Sequence, residues 1–529
     1  MPQSRGLTLL LEHRARKDKL QIRLASRMYW PLYLIIGGLA TLWFVWRYKH
    51  RRMIEIAQKL PGPPSIPLIG NGHQFICKPE ELIIVIKKMI EDYGDVVTFW
   101  LGPNLNFILS KPNDIKILLS SSKTSVKGPQ YKYMADVLGG GILSGSGPQW
   151  RKHRKIAAPN YGKRAIESYN NVFNKEVDLL LDKLRAMPEK PFDIYTLIVR
   201  CTSYSVCQTL MGVTKEQTSK LPHIEEIIDK TPQHYDIVFD RMTKWYLQID
   251  PVFWMSKIYQ QQKHFLKLIS EFSLEILKHR INRLKTLEDH NKKILLDPDQ
   301  DSVINTELSV IDRFILSKEF THNDLISETF TIFTSSQEAS AKISSFILLM
   351  MAYHPKCQEK LYAEIKRVIG DEDRAVSNDD LKQMPYLEMI LKEVLRLFPI
   401  GVMLQRTIHE DINISTCTLP SGCSFVVPIF HLHRDSRFWD RPNSFDPERF
   451  TPENIKKRNP NCYLPFSLGP MDCLGRYFGT KLVKTICVRI LREFAVSSPG
   501  TYDDMRVIMA ISVASINGYP VCLHPRKLK

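Results

Sequence analysis

Near the C-terminus the chain reads Phe466-Ser-Leu-Gly469-Pro-Met471-Asp-Cys473-Leu-Gly475-Arg. Just downstream, Phe478, Leu482, Ile486 and Ile490 recur at helical spacing, so the stretch is a loop that feeds a helix N-terminus. A cysteine at that junction meets unpaired backbone N–H groups and the positive end of the helix dipole, and both favour the thiolate. Gly469 and Gly475 flank it, which suits a tight loop and the close approach of a large planar group. A thiolate held in this way suits an axial ligand to haem iron, to which it donates electron density. The bland alternative is a small core cysteine, the commonest fate of a free thiol.

Three other constellations could do chemistry or support it. In Trp150-Arg-Lys-His-Arg154, Trp150 and Arg154 stand at i, i+4, so an indole N–H and a guanidinium share one helix face and can converge on one anion. Glu393 and Arg396 stand at i, i+3 on another helix face, a pairing common on solvated helices. Leu325 to Tyr353 is a long helical pattern stopped at His354-Pro355, with a polar interruption at Ser335-Ser-Gln-Glu338-Ala339-Ser340.

Together and in this order, these motifs resemble those of the cytochrome P450 family. The first matches its haem loop, F-x-x-G-x-R-x-C-x-G, through Phe466, Gly469, Cys473 and Gly475, with Met471 where the family usually has arginine. Trp150 and Arg154 match a W-x-x-x-R that holds a haem propionate. Arg406 falls where many relatives place another propionate-binding arginine. Glu393 and Arg396, followed by Phe445-Asp-Pro447-Glu448-Arg449-Phe450, match E-x-x-R with its distant arginine. The resemblance implies a buried charge network of Glu393, Arg396 and Arg449 beneath the haem. In the family's distal motif, [A/G]-G-x-[D/E]-T-[T/S], the acid is Glu338, the threonine has become Ala339, and Ser340 follows. Glu338 and Ser340 are thus the implied proton-handling residues. Ser340, one residue on, points about 100° away around the helix and needs a local bulge or a water to substitute. The overall look is that of the insect clan related to fatty-acid omega-hydroxylases. Ser335 stands where many of that clan carry a haem-esterifying glutamate, so haem b is expected without that ester, covalently tied only through the Cys473–iron bond.

The rest of the chain must position these residues. Its apolar fraction of 44% is ample for a deep core and argues against disorder. Ten cysteines are scattered without a C-x-x-C pair, against zinc modules and disulfide scaffolds and for reduced thiols facing the cytosol. A formal charge of +17 suits an anionic membrane surface or an acidic protein partner, and no nucleic-acid module accompanies it. Residues 1–27 form a basic extension. Met28 to Trp46 carries no charge, has Trp30, Tyr33, Trp43 and Trp46 toward its ends, and is long enough for a transmembrane anchor. Residues 47–67 are a basic stretch and a proline-rich hinge, Leu60-Pro-Gly-Pro-Pro64-Ser-Ile-Pro67, too dense in proline for helix. Residues 68–529 are then the catalytic domain: a helix over Leu82–Tyr93, strands at Val96–Trp100 and Phe107–Ser110, helix-rich sequence from 165 to 285, and a polar loop at His290–Asp301. The fold class is mainly α with small β-sheets, P450-like, behind one N-terminal transmembrane helix.

The resemblance implies a haem-thiolate monooxygenase. It would insert one oxygen atom from O2 into an apolar small molecule such as a lipid, a fatty acid, an odorant or a xenobiotic. Electrons would come from NADPH through NADPH–cytochrome P450 reductase, with cytochrome b5 a further candidate donor. The anchor and hinge place it in the endoplasmic reticulum membrane with its catalytic domain cytosolic, and the basic extension makes a mitochondrial address the rival. Two other functions fit: a reductase-independent isomerase or dehydratase of lipid hydroperoxides, which needs no proton-delivering threonine, and a haem-containing binding protein with little turnover.

Overall fold

The computed structural model describes residues 29–31, 33–66, 69–289, 308–370, 372 and 374–526. The basic extension 1–27 and the polar stretch His290–Asp301 lie outside the described residues. Helices carry most of the regular structure, with small sheets set among them.

The first catalytic-domain helix, Pro79–Tyr93, starts on a proline and is closed by the Glu81 carboxylate, which accepts from the Lys78 N–H at 2.9 Å. It stops at Gly94, whose φ of 90° takes the chain into the sheet. Strands β1 (Val96–Leu101) and β2 (Asn104–Leu109) pair antiparallel, Val97 opposite Ile108, around a turn at Gly102 with φ of 56°. Helix α1 (Gly147–Ala157) follows Ser146 and opens on Gly-Pro. Helix α2 (His322–Tyr353) opens with a reciprocal cap, the Thr321 hydroxyl accepting from the Asp324 N–H at 3.1 Å and the Asp324 carboxylate from the Thr321 N–H at 3.0 Å. It ends at His354-Pro355, as the proline requires. Helix α3 (Pro385–Leu397) carries the Glu393–Arg396 pair. Strands β3 (Leu404–Thr407) and β4 (Ser424–Val427) complete a four-stranded sheet of order β1-β2-β4-β3, in which β2 and β4 run parallel. Helix α4 (Arg476–Glu493) follows the cysteine loop. A hairpin of β5 (Val507–Met509) and β6 (Val513–Ser515) carries Ile511 and Ser512 at its tip.

The main core lies around α2 and α4. From Ala341 to Met351 α2 is buried on all sides, so it is an interior helix rather than a surface one. Phe346 lies flat on Phe398 with ring centroids 4.2 Å apart, and Phe478 at the head of α4 meets Phe173 edge-on at 5.3 Å. Phe478, Leu482, Ile486 and Ile490 are buried, as are Val177, Leu181 and Leu184.

At the N-terminus, Tyr29–Lys49 is a helix long and apolar enough to cross a membrane, and its span is not buried against the domain. Trp46, at its end, meets Trp100 of β1 edge-on at 5.2 Å and donates to the Pro103 carbonyl. After a second helix, Arg51–Gln58, residues 61–65 of the proline-rich segment run without helix along the domain. The Pro61 carbonyl accepts from the Thr98 N–H at 2.8 Å, and that of Pro64 from Asn71 Nδ2 at 3.0 Å. Gly62 packs so closely that a Cβ there would lie 2.1 Å from the Thr98 carbonyl. The stretch read as a hinge is therefore a bonded strap over the end of β1.

Candidate active site

A cavity of ≈380 Å³ lies between α1, α2, β3 and the loop before α4. Cys473 stands on its wall. The loop is folded back on itself, with the Cys473 N–H donating to the Phe466 carbonyl at 2.9 Å and a 3-10 turn over Gly469–Met471. Gly469 is obligatory there: its φ is 77°, and a Cβ would lie 2.1 Å from the Leu119 carbonyl. Gly475 has an ordinary φ, and the nearest atom to a Cβ at that position would be Tyr161 Cε1 at 3.9 Å. It leaves room on the cavity wall rather than relieving a clash. Phe466 lines the same cavity, with the Arg476 guanidinium 5.3 Å from its ring centroid.

The surface of Cys473 that stays open faces this cavity, while protein surrounds the residue elsewhere. Burial pushes its thiol above the ordinary range, and the Gly475 N–H, Arg476 and Arg154 pull it back only in part. Burial therefore works against the thiolate that the helix N-terminus favours. Desolvation outweighs one terminal N–H and two partly neutralised guanidinium groups, so a cationic partner at the sulfur is needed to hold the charge.

On the same cavity stand three basic residues, Lys127, Arg154 and Arg406. Arg154 spends its charge on Asp472, with Nη2 at 2.6 Å from Oδ1 and Nη1 donating to the Asp472 carbonyl at 2.7 Å. Arg406 is 2% exposed, and its Nη1 donates to the Gln405 carbonyl. Among the described residues no carboxylate pairs with Arg406 or Lys127. Burial and the two guanidinium groups hold the Lys127 ammonium well below its usual range. Arg406 and Lys127, the two left without a carboxylate, suit a ligand that brings its own, as haem brings two propionates. Trp150 does not contribute its N–H: the buried indole donates to the Ile142 carbonyl at 3.1 Å, leaving its ring on the cavity wall. Sequence reasoning missed Lys127, whose only signal was a lysine before Gly128-Pro129.

The opposite wall is α2. It is α-helical throughout, with no bulge to swing Ser340 toward Ala339. The Ser340 hydroxyl donates to the Ser336 carbonyl at 2.8 Å, the Ser335 hydroxyl to that of Thr331 at 2.6 Å. Glu338 is buried and ion-paired with Lys342 at 2.6 Å, and Ser512 from the β5–β6 tip donates to the same Oε1 at 3.1 Å. Lys342 Nζ also reaches the Ser512 hydroxyl at 2.6 Å. The acid expected in the distal motif is therefore present at the cavity but fixed in a three-membered polar cluster. Sequence reasoning also missed Lys342, although its place at i, i+4 from Glu338 was a signal, and Ser512, a serine in a hairpin tip with none.

Beneath the cysteine loop, Arg396 grips Glu393 through Nε at 2.7 Å and Nη2 at 2.8 Å, both side chains having no exposed surface. Arg449 Nε lies 3.4 Å from Glu393 Oε1 without forming a hydrogen bond, and its Nη2 donates to the Arg441 carbonyl instead. Arg396 also donates to the carbonyls of His433, Pro442 and Ser444. His433, unmarked by any pattern, joins this network to the loop: its Nε2 accepts from the Leu464 N–H at 2.8 Å. Burial, then Arg396 and Arg434, hold its pKa at about 3, so the ring is neutral.

A cysteine loop, an E-x-x-R network and a buried distal helix around one cavity match a known family. A model of cytochrome P450 matches residues 60–519. The chain belongs to the cytochrome P450 family. It is 29% identical over 498 residues to cytochrome P450 4d1 of Drosophila melanogaster, covering 90% of this chain and 96% of that protein. To cytochrome P450 4c3 of the same fly it is 26% identical over 506 residues (93% and 94% covered), and to human cytochrome P450 4V2 it is 27% identical over 498 residues (90% and 93%). The chain is accordingly a P450-type monooxygenase, with haem-thiolate iron as its family's cofactor. Its likeness to insect and mammalian cytochrome P450 4 proteins agrees with the clan that its motifs suggest.

Proposed function

We propose that this P450 inserts one oxygen atom into an apolar, lipid-like small molecule at the cavity between α2 and the Cys473 loop. The balance is RH + O2 + NADPH + H⁺ → ROH + H2O + NADP⁺, with electrons relayed from NADPH by a membrane-bound flavin reductase. Bound haem supplies the oxygen activation. Cys473 presents its sulfur to the iron, and Lys127, Arg154 and Arg406 neutralise the propionates. Trp150 and Phe466 line the haem's space as rings, Gly469 fixes the loop's turn, and Gly475 leaves room for the porphyrin. Glu393, Arg396 and Arg449 hold the layer beneath. The reading is carried by one observation: a cysteine sulfur and a surplus of buried positive charge open onto the same cavity. The helix Tyr29–Lys49 and its bonded strap support a membrane-held enzyme, here assigned to the endoplasmic reticulum with a cytosolic catalytic domain.

Glu338 is held at Oε1 by Lys342 and Ser512, and Ser340 is tied to Ser336, so proton handling by this acid uses its other oxygen or an opened cluster. That same closure favours the other enzymatic reading, rearrangement of a lipid hydroperoxide, in which no external proton is needed. Cys473→Ser tests the main reading. A serine hydroxyl stays protonated and is a poor donor to iron, so the red-shifted Soret band of the reduced CO adduct should vanish together with NADPH-dependent product. Retention of that band assigns the iron to another cysteine and overturns the placement of the loop.

A further inference from the structure

We infer that Glu328, ten residues before the distal acid and untouched by any of the motifs above, is a positioning residue that locks α1 and its Trp150–Arg154 arm onto α2. Glu328 is wholly buried on the first half of α2. Its Oε1 accepts from the Ile142 N–H at 2.9 Å and lies 2.7 Å from His153 Nδ1. The carbonyl of the same Ile142 accepts from the Trp150 indole at 3.1 Å. Trp150 and His153 share one face of α1 at i, i+3, so a ring closes: Glu328, Ile142, Trp150, the helix backbone, His153, and Glu328 again.

The chain between Leu138 and Ser144 is shaped to this carboxylate. A Cβ on Gly141 would lie 1.9 Å from Glu328 Oε1, and one on Gly139, whose φ is 70°, would lie 2.4 Å from Ser327 Oγ. One turn along α2, Thr331 Oγ1 donates to the Leu138 carbonyl at 2.9 Å. Phe320 covers the pair, stacked on the His153 ring at 4.0 Å. Among the described residues Glu328 Oε2 and His153 Nε2 are buried without a hydrogen-bond partner, so the pair's hydrogen bonds within the protein run through Oε1 alone. Burial raises the Glu328 carboxyl, and His153 and the Ile142 N–H oppose that rise.

The arm held by this ring runs on to the cysteine loop, since Arg154 grips Asp472 next to Cys473. Glu328 therefore ties the distal helix to the proximal loop through α1. That the arm serves haem rests on the reading above; the ring stands on the protein's own contacts.

The test uses the full-length haem-loaded protein in detergent, with amide hydrogen exchange and the rate of haem transfer to excess apomyoglobin as readouts. Glu328→Ala should speed exchange across residues 138–157 by about tenfold, leave Pro385–Leu397 unchanged, and hasten haem transfer. Glu328→Gln should restore most of the protection, because its carbonyl oxygen in the place of Oε1 still accepts from the Ile142 N–H and from a neutral His153 that carries its proton on Nδ1. His153→Phe keeps the stack on Phe320 and removes one bond, so it should give a smaller rise in the same segment. It carries the test if Glu328→Ala fails to fold. Unchanged exchange over 138–157 in Glu328→Ala or His153→Phe overturns the lock, as does a rise spread evenly over the whole chain. A local rise with unaltered haem transfer upholds the lock and overturns the haem role of Trp150 and Arg154.

Discussion

His433→Leu separates the cysteine loop from the charge network beneath it, and its effect should depend on pH in a calculable way. The wild-type ring has no exposed surface, accepts from the Leu464 N–H at 2.8 Å, and faces the Arg396 carbonyl with Nδ1 at 3.3 Å. Leucine leaves the Leu464 N–H buried without an acceptor, which costs about 1–3 kcal/mol at pH 7. The folded ring, with its pKa at about 3, refuses a proton that the unfolded chain takes up near pH 6.5. Its contribution to stability is therefore complete above the unfolded value and is lost as pH falls toward the folded one. The loss is about 1.4 kcal/mol per pH unit, or roughly 2 kcal/mol on going from pH 6.5 to pH 5. Leucine has no such term, and the other histidines are common to both chains. Urea unfolding followed by circular dichroism should show the variant clearly less stable at pH 7 and nearly equal to wild type at pH 5. A stability gap of the same size at both pH values would refute the neutral, buried histidine as the link.

Glu393→Ala should lower stability by about 3–5 kcal/mol, because Arg396 would stay buried without its carboxylate; thermal denaturation and haem content measure it. Met471→Arg should not slow haem loss to apomyoglobin: Asp472 already has Arg154 and Arg476, and Lys127 and Arg406 are left for two propionates, so an added guanidinium has no unmatched anion. Ala339→Thr should place a hydroxyl on the cavity face of α2, raise product formed per NADPH consumed and lower peroxide release. Unchanged coupling, with hydroperoxides turned over in the absence of reductase, would move the rearrangement reading to first place.

The elements that were legible are those whose logic is local. The apolar spacing of Phe478, Leu482, Ile486 and Ile490 determines a helix with one buried side, and Gly469 with the following proline determines the turn before Cys473. Glu393 and Arg396 meet because i, i+3 side chains share a helix face, whatever surrounds them. The uncharged run near the N-terminus determines its own helix in the same way, by composition alone.

What spacing could not decide is where side chains with several possible partners turn. Trp150 and Arg154 do share a face, yet the indole serves Ile142 while the guanidinium serves Asp472, 318 residues away. Glu338 was visible as an acid with Lys342 at i, i+4, but the third member, Ser512, needed a hairpin tip from the far end of the chain. Lys127 became part of the site only when folding brought it beside Arg406. The sign of the effect on Cys473 was likewise hidden. A helix N-terminus is written in the sequence, but the depth at which the thiol is buried is not. Desolvation grows with everything packed around a group, and only the tertiary structure collects those neighbours.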